Sequence, residues 1–160
     1  MLAQIRKAEI ADQSIVREYL QDCLKELSAF GEVEQTYAYF DNYWIEPTRR
    51  PYVIEVDGGP IGFIFVNQCS PSGRGTDYAV AEFYVARRWR GQGLGMQAAR
   101  QVFQEHPGQW ELHFFNANAT AQSFWPAAIM KAGAASYERV AGPDTTILRF
   151  RIAARGVPSK

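Results

Sequence analysis

Histidine and cysteine are scarce in this 160-residue chain, which holds two of each: Cys23, Cys69, His106 and His113. Two distant cysteines make no disulfide framework, and without a C-x-x-C pair or a Cys/His cluster neither zinc nor dithiol redox chemistry is expected. Long apolar runs are missing too. Nowhere do about 18 apolar residues stand together, and the opening Met1-Leu2-Ala3-Gln4-Ile5-Arg6-Lys7 has no secretory apolar segment. A soluble, cytoplasmic protein without a membrane partner or a metal is the expectation. Net charge is also lacking, with 17 basic against 17 acidic side chains, so the overall basicity of a nucleic-acid binder is absent. With 47% hydrophobic residues, the chain can bury a core as a single domain over 1–160, which argues against disorder, collagen and coiled coil.

The zero net charge conceals a division. Residues 1–80 carry seven basic and twelve acidic side chains, a net of −5, whereas residues 81–160 carry ten and five, a net of +5. The C-terminal half is suited to an anion.

Hydrophobic spacing gives the order of elements. Ile5–Ala8 reads as a short strand, and Asp12 as the cap of an amphipathic helix with apolar positions Ile15, Val16, Tyr19, Leu20, Cys23, Leu24 and Leu27. Cys23 lies on that stripe and reads as a core residue. The aromatic stretch 36–44 predicts a short second helix or a loop. Pro51–Val56 and Ile61–Val66 flank Asp57-Gly58-Gly59-Pro60 as a hairpin. Residues 70–77 read as an exposed loop, Tyr78–Val85 as a strand, and Leu94, Ala98, Ala99, Val102 and Phe103 as one helix face. A strand at Trp110–Phe115 precedes a helix from Asn118 to Gly133, in which Pro126 predicts a kink or a late start. Strands at Ser136–Val140 and Thr145–Ile152 follow, and 153–160 reads as a frayed tail. One mixed sheet with helices on both faces accommodates this order.

The chemistry is concentrated in Glu82-Phe83-Tyr84-Val85-Ala86-Arg87-Arg88-Trp89-Arg90-Gly91-Gln92-Gly93-Leu94-Gly95-Met96. Alternate glycines between a strand and a helix let backbone N–H groups approach a ligand, and the helix dipole adds positive charge. Phosphate suits such a place, with Arg87, Arg88 and Arg90 able to reach further oxygens. A P-loop would need a lysine that is absent, and a dinucleotide fingerprint would need glycine where Met96 stands.

The pattern Arg90-x-x-Gly93-x-Gly95 after a strand resembles the pyrophosphate signature of the GNAT acetyltransferase superfamily. Downstream, Asn118-x-x-Ala121-x-x-Phe124-Trp125 resembles that family's Asn, Ala and aromatic spacing at the start of its next helix. The element order agrees over residues 4–152. The resemblance implies an α/β (α+β) fold with a mixed, mostly antiparallel central sheet, helices on both faces and splayed middle strands. It implies acetyl-CoA as cosubstrate and direct acetyl transfer to the amine of a small molecule, a peptide or a protein. A non-catalytic acyl-CoA-binding module is the alternative reading.

Carried over residue by residue, the resemblance implies that the Val85 backbone pairs with pantetheine in the gap between Tyr78–Val85 and Trp110–Phe115. The N–H groups of Gly91, Gln92, Gly93, Leu94, Gly95 and Met96 cradle the pyrophosphate after Arg90, and Asn118 bonds the pantetheine arm. N–H groups near Phe83–Val85 polarise the thioester carbonyl. Glu82 is the implied water-mediated base, with an ordinary strand carboxylate paired to an arginine as the alternative. Trp125 stands where many members carry an acidic tyrosine, and indole is no usable acid, so either Tyr84 donates the proton or coenzyme A leaves as a thiolate. Core packing is the preferred role of Trp125. Tyr39, Asp41 and Trp44, in an aromatic and acidic stretch, suit an ammonium-bearing acceptor, and core packing or a homodimer surface explains the same stretch.

Overall fold

Seven strands form one sheet in the order β1-β2-β3-β4-β5-β7-β6, in a computed structural model that describes residues 1–155. The strands are β1 (Ala3–Lys7), β2 (Arg50–Val56), β3 (Gly59–Asn67), β4 (Tyr78–Val85), β5 (Gly108–Phe115), β6 (Tyr137–Ala141) and β7 (Thr145–Ile152). Every neighbouring pair is antiparallel except β4 and β5. Three α-helices accompany them, α1 (Gln13–Leu27), α2 (Leu94–Glu105) and α3 (Ala119–Lys131). Of the expected tail 153–160, residues 156–160 lie outside the described residues.

Two apolar clusters cover the two faces. On one, Leu94, Ala98, Ala99, Val102 and Phe103 of α2 and Ala121, Trp125, Ala128 and Ile129 of α3 pack on Ile64, Trp110, Leu112, Phe114 and Leu148. On the other, Val16, Leu20, Cys23 and Leu24 of α1 pack with Phe40 and Tyr43 on Val53, Phe63, Phe65 and Tyr84. Burial on both sides explains why β2 and β3 are nearly continuous in buried residues instead of alternating. The thiol of Cys23 is pushed up by burial, which fits an inert core residue.

Some local expectations need correction. β1 begins two residues earlier than Ile5–Ala8 and ends at Lys7. Its outer edge is closed by α2, whose Gln97 and Gln101 side chains bond the backbone of Ala3 and Ile5, satisfying groups a bare edge would expose. Asp12 precedes α1 but does not cap it. Its carboxylate is held by Arg6 at 2.7 and 2.8 Å and accepts from the Glu9 N–H at 2.7 Å, and the Arg6 bond keeps it below the usual carboxylate range. The 36–44 stretch yields one 3-10 turn, Asp41–Trp44. The helix α3 does not start late. Asn118 caps it, accepting from the Ala121 N–H at 3.1 Å, and the helix runs through Pro126.

Candidate functional site

The parallel pair β4–β5 is joined through only two registers, Tyr78 with Trp110 and Ala79 with Glu111. Beyond them the strands part. Toward the open end, Ala86 N–H donates to Ile61 C=O at 2.7 Å, so the even positions of β4 there bond toward β3. Backbone direction alternates along a strand, and Phe83 and Val85 therefore turn their N–H and C=O into the gap. The Val85 C=O is engaged by the Arg90 Nε at 2.7 Å, which leaves its N–H facing the gap.

At the mouth of the gap the chain passes through Gly91 (φ 77°) and Gly93 (φ 79°), a left-handed conformation that side-chain-bearing residues rarely adopt. Gly93 occupies the cap position of α2 and has no side chain to offer. The first intrahelical bond runs from Gln97 N–H to Gly93 C=O, so the N–H groups of Leu94, Gly95 and Met96 point outward from a positive helix end. Gly95 lets this first turn rest close to the sheet: a Cβ there would lie 3.5 Å from the Val85 side chain and 3.6 Å from Phe124.

Glu82 reaches the opposite face of the same strand through an irregularity. Phe65 pairs with Glu82 but Val66 pairs with Val80, so Ala81 is an extra residue, a β-bulge. Val80 faces the α2 and α3 core, whereas Ala81 packs on the α1 side. With one residue inserted, the alternation resets, and Glu82 joins Tyr84 on the α1 face. Burial pushes its carboxyl up to about 8, and its charge is felt by Cys23 and Tyr37. No arginine takes it up among the described ion pairs, so the paired-carboxylate alternative does not hold there. A carboxyl whose folded pKa lies above its unfolded value favours the fold at low pH, and that contribution is lost as pH rises from about 4.5 through about 8. Glu82→Gln is therefore expected to gain up to about 5 kcal/mol over the wild type at pH 9 relative to pH 4, measured by urea unfolding at both pH values.

A family model described as the acetyltransferase (GNAT) family matches residues 14–128, more than half of the chain. The chain belongs to the GNAT acetyltransferase family. No curated protein matches its sequence. Solved structures share the fold: yncA from Salmonella typhimurium with its cofactor acetyl-CoA, 14% identical, covering 98% of both chains at a TM-score of 0.66; the PaiA N-acetyltransferase of Thermoplasma acidophilum in complex with coenzyme A, 17% identical, covering 94% of this chain and 99% of that one at 0.62; and the ribosomal-protein-S18-alanine N-acetyltransferase of Escherichia coli, 17% identical, covering 99% of both at 0.61.

In this GNAT fold the arginines of the loop are not free. Arg90 makes a two-pronged bond to Glu26 of α1, 2.8 Å on each side, and lies over the Tyr84 ring at 5.2 Å. Arg87 also approaches Glu26, at 3.5 Å, and Arg88 lies over Trp89. The Arg90 bond holds the Glu26 carboxyl below its usual range. An acidic residue of the negative half thus fixes the Arg90 side chain of the positive half. Asn118 spends its side-chain oxygen on the α3 cap, leaving its NH₂ as the group able to donate elsewhere.

Trp125 is 8% exposed and meets Phe83 edge-on at 5.0 Å and Phe124 at 4.8 Å, so it packs in the core beneath the gap. Tyr84 is buried, and burial raises its phenol to about 12. That favours hydrogen-bond donation over proton release, because a thiolate of ordinary pKa, about 8.5, is the weaker base.

Tyr39, Asp41 and Trp44 do not converge. Tyr39 is exposed with Arg49 over its ring at 4.7 Å, and Asp41 pairs with Arg17 at 3.7 Å. Trp44 packs on Phe40 at 4.9 Å and donates to the Glu9 C=O at 3.0 Å. Of the three, only Trp44 lines the roughly 610 Å³ cavity beside Lys7, Arg50 and Tyr52, a cavity on the β1 side of the sheet and away from the β4–β5 gap. The aromatic residue that feels Glu82 is Tyr37, and nothing in its local sequence separates it from Tyr39. Among the described residues no group of three His, Cys, Asp or Glu could hold a metal ion, and no helix is long and apolar enough to cross a membrane.

Proposed function

We propose that this protein is an acetyl-CoA-dependent N-acyltransferase that moves an acetyl group to a primary amine by direct attack in a ternary complex. The observation that carries the reading is the β4–β5 gap itself. It joins unpaired strand backbone, a left-handed glycine loop and an open helix N-terminus on one line, and Glu82 stands on the α1 face of the same strand. The yncA and PaiA structures, which hold acetyl-CoA and coenzyme A, support the cosubstrate.

In this reading Phe83 and Val85 offer backbone groups to the pantetheine amides, and the loop from Gly91 to Met96 offers N–H groups to the pyrophosphate. Positioning the thioester beside the amine supplies much of the rate, and N–H groups of β4 polarise the carbonyl. Glu82 accepts a proton from the ammonium through water. The neutral nitrogen then forms the C–N bond, the C–S bond breaks, and sulfur leaves with its electron pair. Trp125 does not supply the sulfur proton, and Tyr84 contributes at most a hydrogen bond. A binding module without turnover is the second reading, favoured by the core placement of Trp125. The alanine acceptor named for the Escherichia coli relative and the acidic N-terminal half make a peptide or small-molecule amine the class to screen.

Acetyl-CoA is expected to raise the Tm, and thiol release with an amine panel is expected to separate enzyme from module. The rate should rise with pH through about 8 as Glu82 ionises. Glu82→Gln should lower kcat/KM roughly 100-fold near pH 8 and lose its effect as pH approaches the pKa of the amine, about 10.4 for a lysine-type acceptor. A loss of equal size at every pH would remove Glu82 as the base.

A further inference from the structure

Net transfer to an ammonium removes two protons from the acceptor nitrogen, and Glu82 accounts for one. Across the gap stands a second titratable side chain that no motif marks. Trp110, Leu112 and Phe114 of β5 face the α2 and α3 core, so by alternation Glu111, His113 and Phe115 face the α1 side. Phe115 does so visibly, lying against Gly31 just beyond α1. The last paired position is Ala79 with Glu111. His113 lies two residues beyond it on β5, and Glu82 lies three beyond it on β4, one of which, Ala81, is consumed by the bulge. The two side chains therefore stand at one height, on one face, on opposite walls of the gap.

We propose that His113 is a second proton-handling catalytic residue of the acceptor site, receiving the proton that the nitrogen still carries after attack. The proposal rests on the acyltransferase reading. On the β5 side, Glu111 stands two positions back, paired with Arg149 of β7; on the β4 wall stands Glu82, whose charge is felt by Tyr37 of the loop beyond α1. Ile147, the direct β7 partner of His113, carries no charge. His113 reaches solvent although desolvation lowers its pKa, as expected of a ring on a cleft wall. At neutral pH it is a free base.

The division of labour follows from base strength. Glu82, raised toward the amine's own range, suits the first, tightly held ammonium proton. The nitrogen of the tetrahedral adduct is far more acidic, so a weak base such as His113 suffices for it. As the C–S bond breaks, the N–H proton passes to the imidazole nitrogen and the amide forms. One of the two protons ends on sulfur and the other in water, so that R–NH₃⁺ and acetyl-CoA give the amide, coenzyme A thiol and H⁺. His106, the only other histidine, is engaged with the Tyr52 hydroxyl and lies on no wall of this gap.

With two histidines, the imidazole signals are readily assigned by NMR. The His113 signal is expected to move twice with pH, near 8 with Glu82 and again below 6.5 on its own protonation, and Glu82→Gln should erase the upper step. A single step, or an upper step that survives Glu82→Gln, would overturn the pairing. His113→Gln should lower kcat by roughly 10- to 100-fold, keep the acetyl-CoA KM and the acetyl-CoA-induced rise in Tm, and make the rate profile less steep below pH 6.5 while leaving the rise through about 8 that belongs to Glu82. Imidazole should partly rescue His113→Ala. Unchanged kcat in both variants would exclude the role. If the wild type is neither stabilised by acetyl-CoA nor active, it is the acyltransferase reading that fails, and the NMR titration still decides the placement.

Discussion

Replacing Arg149 with leucine is expected to cost about 3–5 kcal/mol of folding stability, a large share of the roughly 5–15 kcal/mol a domain of this kind has. The reason is Glu111. It is fully buried on β5, and its carboxylate accepts from Ser70 Oγ at 2.8 Å, from Ser72 N–H and Oγ at 3.0 Å each, and from the Arg149 guanidinium. Arg149 also bonds the Gly75 C=O at 3.2 Å. Removing the cation leaves a buried negative charge with only neutral donors, and the 70–75 loop loses its tie to the sheet. Glu111→Leu combined with Arg149→Leu should be much less damaging than Arg149→Leu alone, because no charge is then stranded. Urea unfolding of the single and double variants measures this, and equal losses would show that loop packing rather than charge pairing is at stake. The site is affected too, since Glu111 is the last β5 residue paired with β4 before the strands part.

Gly93→Asp is expected to weaken acetyl-CoA binding at least 100-fold. Two costs combine. At φ 79° an aspartate is held in a conformation worth roughly 1–3 kcal/mol of strain, and its carboxylate would sit at a helix end whose open N–H groups suit the pyrophosphate. Calorimetric titration of acetyl-CoA checks the affinity, and a circular dichroism melt without ligand checks the fold. Gly93→Ala separates the causes: it carries the strain without the charge and should retain an intermediate affinity. If Gly93→Asp binds acetyl-CoA as the wild type does, the loop is not the phosphate site.

Much of this was legible in the sequence because it is local. The bounds of Tyr78–Val85, the Asn118 cap and the glycine loop each follow from residues adjacent in the chain, and the burial of Cys23 and Trp125 from helical spacing. The splay of β4 from β5 came from family resemblance, since no local signal encodes where two distant strands stop pairing. Other features depend on meetings across the chain. Arg90 reads as a phosphate ligand until Glu26, a helix away, is found on its guanidinium. Ala81 looks like any strand residue, yet as a bulge it decides which face Glu82 joins. The Tyr39, Asp41 and Trp44 group followed composition, and composition does not say which way a loop turns its side chains. His113 belongs to no motif in the sequence, and its place on β5 beyond the last β4 pair follows from a register that only the paired strands define.

Transfer of an isotopically labelled acetyl group would distinguish an N-acyltransferase from a binding module. Protein at pH 8.5 with labelled acetyl-CoA and a panel of primary amines, including peptides with free N-termini, is analysed by mass spectrometry for labelled amide and for free thiol. Labelled amide and thiol are expected in equal amounts with at least one amine, both strongly reduced in Glu82→Gln and Gly93→Asp. Tight binding of acetyl-CoA with no labelled amide across the panel would contradict the acyltransferase reading and leave a binding module in its place.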